Sequence, residues 1–319
     1  MKAVASISKK HMLLLAALLA LLFLSGCAGG LMGRGKTRAT PYTFHTGTQG
    51  MMLEFLPGSP PDRLYEGDPL SLVVKYANKG ASTVEGGMLY VSGYDRAYVP
   101  LNPDQVPFNA EGKSVYNPEG LVSYTAEFTA GAVGAPPYVD VFPQTFKVTA
   151  CYKYRTEAGV DVCIDPDPLR IQPEDKVCVI HDTSLSSQGA PVAVTRVEED
   201  AAKGRVQFQI GIRNVGAGTV IASSNGAVPL DRCQADLRQD EIDKVEITAE
   251  LSGRPLECNP KQVRLINGQG IAICSLFLAD YQTQEAYQTT LNVYLDYGYR
   301  NSIAKRVDVL KLPGAPRFY

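Results

Sequence analysis

The chain has 319 residues, with 31 lysines and arginines against 33 aspartates and glutamates and a formal net charge of −2. That near balance leaves no basic footprint for nucleic acid, and no nucleic-acid partner is expected. Seventeen tyrosines, 29 glycines and 21 prolines with no tryptophan favour many short strands and turns over helices, in a chain long enough for two domains of ordinary size.

The N-terminus reads as an export leader. Lys2, Lys9 and Lys10 give a positive start, and Met12 to Leu24 is an uninterrupted apolar run, short for a membrane span. The run ends in Leu24-Ser25-Gly26-Cys27, which resembles the lipobox of secreted lipoproteins: an aliphatic residue, two small residues and a cysteine. That resemblance implies cleavage after residue 26 and a lipid on the Cys27 thiol, whose thiolate is the best nucleophile for an acyl-glyceryl group. Two alternatives stay open. Positions 12 to 32 contain no charge, and about twenty such residues cross a bilayer as an uncleaved anchor helix; cleavage to a free secreted protein is the other. All three export the remainder, so the expected location is the cell envelope, membrane-anchored and facing away from the cytoplasm. Residues 27–49, rich in Gly, Thr and basic side chains, read as a flexible tether.

Six further cysteines follow, Cys151, Cys163, Cys178, Cys233, Cys258 and Cys274. An even number behind a leader reads as a disulfide framework in an oxidising compartment, and with no CxxC pair a zinc site is not expected. Cys151–Cys163 and Cys258–Cys274 each flank an expected hairpin, which leaves Cys178–Cys233 as a staple between domains.

An internal repeat organises the rest. "KYANKGASTV" (75–84) aligns with "GIRNVGAGTV" (211–220), with Asn, Gly, Ala, Thr and Val at identical spacing, and each follows an alternating strand, "LSLVVKY" or "VQFQIGI". A second marker closes each copy: Tyr152-Lys-Tyr154-Arg155 before "VDV", and Tyr297-Gly-Tyr299-Arg300 before "VDV", each read as two strands joined by a short turn. The expected units are 50–172 and 189–312, joined by a linker at 173–188 and followed by a tail at 313–319. Expected strands are 51–56, 70–77, 86–94, 121–129, 144–155 and 159–164 in the first unit. In the second they are 190–198, 205–213, 244–251, 261–267, 269–278, 287–299 and 303–311. In the N-x-G element, Asn tolerates a left-handed backbone and Gly takes positive φ, so the strand ends abruptly.

An alternating strand closing on N-x-G resembles the CARDB-like and other immunoglobulin-like modules of prokaryotic surface proteins. Residues 46–68, 189–198 and 295–300 resemble segments of uncharacterised surface lipoproteins from small-genome archaea. The resemblance implies an all-β chain of two tandem immunoglobulin-like antiparallel β-sandwiches behind the lipoprotein signal or anchor helix, and it carries no activity. The long loops 95–120 and 222–243 are the expected binding sites, since a rigid frame displays function on loops; Tyr98, Phe108 and Tyr116 are the candidate contacts in the first.

Chemistry is sparse. A Ser-His-Asp set would have to recruit His45 or His181, and no G-x-S-x-G elbow, H-E-x-x-H, P-loop or G-x-G-x-x-G is present. Asp161, Asp165 and Asp167 in "VDVCIDPDPL" are the one candidate metal group, as weak Ca²⁺ ligands; no other cofactor is expected. The expected function is a tethered surface structural or adhesive protein, not an enzyme, that binds a protein or glycan. The alternatives are an accessory subunit of a pilus, secretion or S-layer assembly, with an edge strand pairing to a partner, and a carbohydrate- or solute-binding lipoprotein.

Overall fold

Alternation of apolar and polar residues carries most of this chain into extended structure. In a computed structural model, residues 44–165, 176–202, 205–223, 227–234, 237–277 and 286–311 are described; among them there is no α-helix, and one 3-10 turn at Leu230–Arg232. Cys27, residues 12 to 32 and Asp167 lie outside these residues. No helix among the described residues is long and apolar enough to cross a membrane.

In the first half, β1 (Met51–Phe55), β3 (Leu70–Asn78) and β6 (Ser123–Ala130) form a three-stranded sheet in the order β1-β3-β6. The second half repeats it: β9 (Val192–Ala202), β10 (Arg205–Asn214) and β16 (Gln269–Phe277) take the same places, and β14 (Glu257–Asn259) and β8 (Thr183–Ser184) extend the edges to five strands. The registers match, with Met51 opposite Asn78 and Val192 opposite Asn214. Both halves share the remaining sheet, of nine strands. Its centre is β7 (Val141–Ile164) against β17 (Tyr287–Leu310), antiparallel over their full 24-residue lengths. Flanking them are β4 (Val84–Ser92) and β5 (Gln105–Ala110) on one side. On the other are β12 (Lys244–Leu251), β13 (Arg254–Pro255), β15 (Gln262–Arg264), β11 (Thr219–Ile221) and β2 (Arg63–Tyr65).

The expected turns at 156–158 and 300–302 are absent: each Tyr-x-Tyr marker lies inside one continuous strand. Pairing along 24 positions overrides the local turn signal, as strand propensity yields to cross-strand context. The two markers also face each other. Tyr152 pairs with Tyr299, Tyr154 with Tyr297, and Lys153 with Gly298, so repeat-equivalent residues meet around an internal two-fold axis, as in an isologous dimer. The nine-stranded sheet runs across the boundary expected between two domains, and all described residues belong to one compact unit.

One face of this sheet meets the two smaller sheets. Phe146, Val148, Tyr152 and Tyr154 of β7 and Leu291, Val293, Leu295, Tyr297 and Tyr299 of β17 point inward with Leu72 and Val74 of β3 and Phe208 and Ile210 of β10, in one continuous core. Burial of each such aliphatic side chain contributes roughly 1.5–3 kcal/mol. Tyr76 of β3 packs edge-on against Phe108 of β5, and Phe108 against Tyr152, which ties the first three-stranded sheet to the shared one.

The disulfides join Cys151 to Cys233, Cys163 to Cys178 and Cys258 to Cys274. The last agrees with expectation, because Cys258 and Cys274 sit directly opposite in the β14–β16 ladder. The other two pairings differ from it. Cys151 and Cys163 lie on one unbroken strand and are held about 40 Å apart at ~3.3 Å per residue, so each takes a partner from a returning segment.

Candidate functional site

Four tyrosines fill the seam between the halves, and their hydroxyls hold the chain ends that shape it. Tyr152 accepts from the Met51 amide at 3.0 Å, and Tyr297 accepts from the Val192 amide at 3.3 Å. Tyr154 accepts from the Ser82 amide at 3.2 Å, and Tyr299 from the Gly218 amide at 2.7 Å. The halves also clamp each other: Asn301 of β17 donates to the Met51 carbonyl at 3.0 Å, and Thr156 of β7 donates to the Val192 carbonyl at 2.6 Å. Burial pushes all four phenols above their usual pKa, so they stay neutral donors and acceptors.

The N-x-G elements answer to these tyrosines. Asn78 Oδ1 accepts the Gly80 amide at 3.0 Å while its Nδ2 donates to the Ser82 carbonyl at 2.7 Å; Asn214 Nδ2 donates to Gly218 in the same way at 3.0 Å. The expected positive φ is not found at Gly80 or Gly216. These glycines are required by close approach: a Cβ would sit 1.9 Å from the Tyr154 hydroxyl at Gly80, and 2.4 Å from the Tyr299 hydroxyl at Gly216.

Beside this seam lies a cavity of about 520 Å³, within the roughly 300–1,000 Å³ of ligand pockets. It opens where β17 lacks a neighbour: on the side away from β7, β11 pairs at 298–300 and β2 at 308–310, and no described strand pairs between them. Segments 48–52 and 215–219 form its walls, with Lys147 and Thr149 of β7 and Arg300, Asn301 and Ser302 of β17. The described lining holds two cations, Lys147 and Arg300, and no carboxylate. Arg300 Nη1 donates to the Cys233 carbonyl at 2.8 Å, and Cys233 is bonded to Cys151, the residue paired with Arg300 across the strands. The disulfide therefore fixes both the guanidinium and the adjoining Gln234 of the lining.

A second cavity, of about 700 Å³, is lined by the repeat equivalents of three of these residues, Asn292, Tyr294 and Glu157 for Lys147, Thr149 and Ser302. Glu157 and Asp161 of β7 and Asn292 and Tyr294 of β17 line it, with His45 and no Lys or Arg among its described residues. One pair of equivalent arginines differs in its partner. Arg155 meets Asp296 across the strands in a bidentate pair at 2.9 and 2.8 Å, whereas its repeat counterpart Arg300 faces Cys151.

The loop candidates separate. Phe108 is buried on β5, Tyr98 packs edge-on against Phe142 at 5.2 Å, and Tyr116 alone stands 98% exposed. The carboxylates expected to bind calcium hold other partners: Asp161 accepts from Thr290 at 2.9 Å, and Asp165 is buried with Lys176 at 2.6 Å. No three His, Cys, Asp or Glu side chains converge as metal ligands among the described residues. His45 lines the second cavity, and His181 sits near the buried Glu199. Lys147, Thr149 and Gln234 escaped sequence reasoning because nothing local marks them. Arg300 had a signal, its repeat equivalence to Arg155. No protein-family model matches this chain, and no curated protein is similar to it.

Proposed function

We propose that this is a membrane-tethered surface lipoprotein, exported with Cys27 as its lipid-bearing first residue, which binds a partner by contact and performs no bond chemistry. Its two repeats are CARDB-like, immunoglobulin-like sandwiches that share the central sheet. The observation that carries the reading is the seam: two full-length paired strands, clamped by buried tyrosines and closed by disulfides, hold a polar cavity in fixed geometry. Three disulfides suit an oxidising compartment, and a preorganised frame lowers the ordering cost of binding. The test is intact mass and membrane partitioning in a lipoprotein-processing host. A chain that begins at Cys27, carries a lipid-sized mass and leaves the membrane on Cys27→Ser is the expected result. A full-length chain that stays membrane-bound in both forms would overturn the lipid anchor.

A further inference from the structure

Resting on the lipid anchor of that reading, we infer that the loop 114–122 inserts into the bilayer that holds Cys27, with Val115, Tyr116, Leu121 and Val122 at the headgroup boundary. The loop is built to display apolar groups. Ser114 and Asn117 exchange amide-to-carbonyl hydrogen bonds at 3.2 and 3.1 Å, which leaves Val115 and Tyr116 as a two-residue tip where turns ordinarily carry Gly, Asn, Asp or Pro. Asn117 also holds the return: its Oδ1 accepts the Leu121 amide at 2.8 Å, and its carbonyl accepts the Gly120 amide at 3.1 Å. Lys79 Nζ donates to the Gly120 carbonyl at 2.9 Å, so the loop is tied to the first N-x-G turn. Its four apolar side chains stand 67%, 98%, 71% and 39% exposed in chain order, and such a cluster on a fixed frame marks a contact surface. Its position near the N-terminal end of the folded unit decides the occupant. Lys113, at the base of the loop, donates from Nζ to the Thr46 carbonyl at 2.9 Å. Thr46 follows Cys27 by 19 residues, 46 minus 27, which span at most about 70 Å. A lipid on Cys27 therefore holds the loop near the membrane, and weak insertion becomes an intramolecular event. Tyrosine suits the headgroup level, its ring apolar and its hydroxyl wet. The charges around the loop, Lys79 and Lys113 with Glu111 and Glu119, balance, so apolar burial and not attraction to anionic headgroups drives the contact.

The chain has no tryptophan, so Tyr116→Trp places a single indole at the tip. The full chain with this substitution, expressed in a lipoprotein-processing host, is placed in vesicles of phosphatidylcholine alone and of phosphatidylcholine with phosphatidylglycerol. Each is made with and without bromine-labelled acyl chains, and each sample is also scored by flotation. The expected result is blue-shifted emission quenched by the brominated lipid, to the same extent in both compositions and at low and high salt. Ile271→Trp, at a position 56% exposed on β16 of the other half, is expected to float equally and to keep water-like, unquenched emission. Adding Leu121→Ser to Tyr116→Trp is expected to lose most of the shift and quenching with an unchanged melting temperature. Protein that floats while the indole at 116 emits as in water would overturn insertion and leave the loop to a protein partner, with the lipid anchor standing. Equal quenching at 116 and 271 would overturn a contact made by this loop, and a signal confined to anionic vesicles and lost in salt would overturn apolar insertion. A chain that carries no lipid and does not float would overturn the anchor and this inference together.

Discussion

Glu199 shows how a single side chain completes the seam. It lies on β9, where its Oε2 accepts the Cys163 amide of β7 at 3.1 Å. β4 pairs with β7 only over 147–151, so the carboxylate stands in for a missing strand. Its other oxygen, Oε1, has no partner. Burial is the main cause that raises its pKa to about 7; the Cys163 amide and nearby His181 pull it down, and Asp165 pushes it up. The folded state thus binds this proton more tightly than the unfolded chain. Stability from this group is full below about pH 4.5 and is lost as the pH rises through about 7, by on the order of 2 kcal/mol. Denaturant titrations across that window are expected to show the decline in the wild type and a flatter profile in Glu199→Gln, with the variant more stable at pH 8. An equal slope in both proteins would assign the decline to other groups.

At the scale of elements, the sequence made the repeat legible and hid its use. Asn78 with Gly80, Asn214 with Gly216 and the two Tyr-x-Tyr markers were visible because each pair occupies equivalent positions in the structure. What was hidden is long-range. The glycines answer to tyrosine hydroxyls more than seventy residues away, which no local φ argument reaches. β5 was missed because Pro107 and polar neighbours mask an edge strand that buries only Phe108 and Ala110. The turn signals "TEAG" and "RNS" were read by local propensity, yet Thr156 and Asn301 there are the clamps between the halves. The Cys151–Cys163 pairing failed with the turns, since a hairpin that does not exist cannot bring these two together, whereas Cys258–Cys274 held. If the β7 ladder dictates this strand, Ser302→Gly, which creates an Asn-Gly hairpin signal, leaves it intact. The expected cost is only about 0.5–1 kcal/mol for glycine in a strand, with the 303–310 amides still protected in hydrogen exchange. Loss of that protection would show that local sequence governs the strand.

For the whole molecule, the two halves are bound into one body because neither buries its long strand alone. β7 and β17 each cover the other along their entire lengths, one continuous apolar core runs beneath them, and polar clamps cross the axis in both directions. A chain built as two separate tandem domains would leave the seam tyrosines and the cavity beside them without a second wall. Symmetry supplies the frame, and the halves diverge within it: Lys147 and Arg300 line one cavity, and Glu157 and Asp161 another. The most direct test is scanning calorimetry of the oxidised protein. Shared burial predicts one transition in which the calorimetric and van't Hoff enthalpies agree. Two resolved transitions, with one half melting while the other stays folded, would contradict the seam as the structure that unites them.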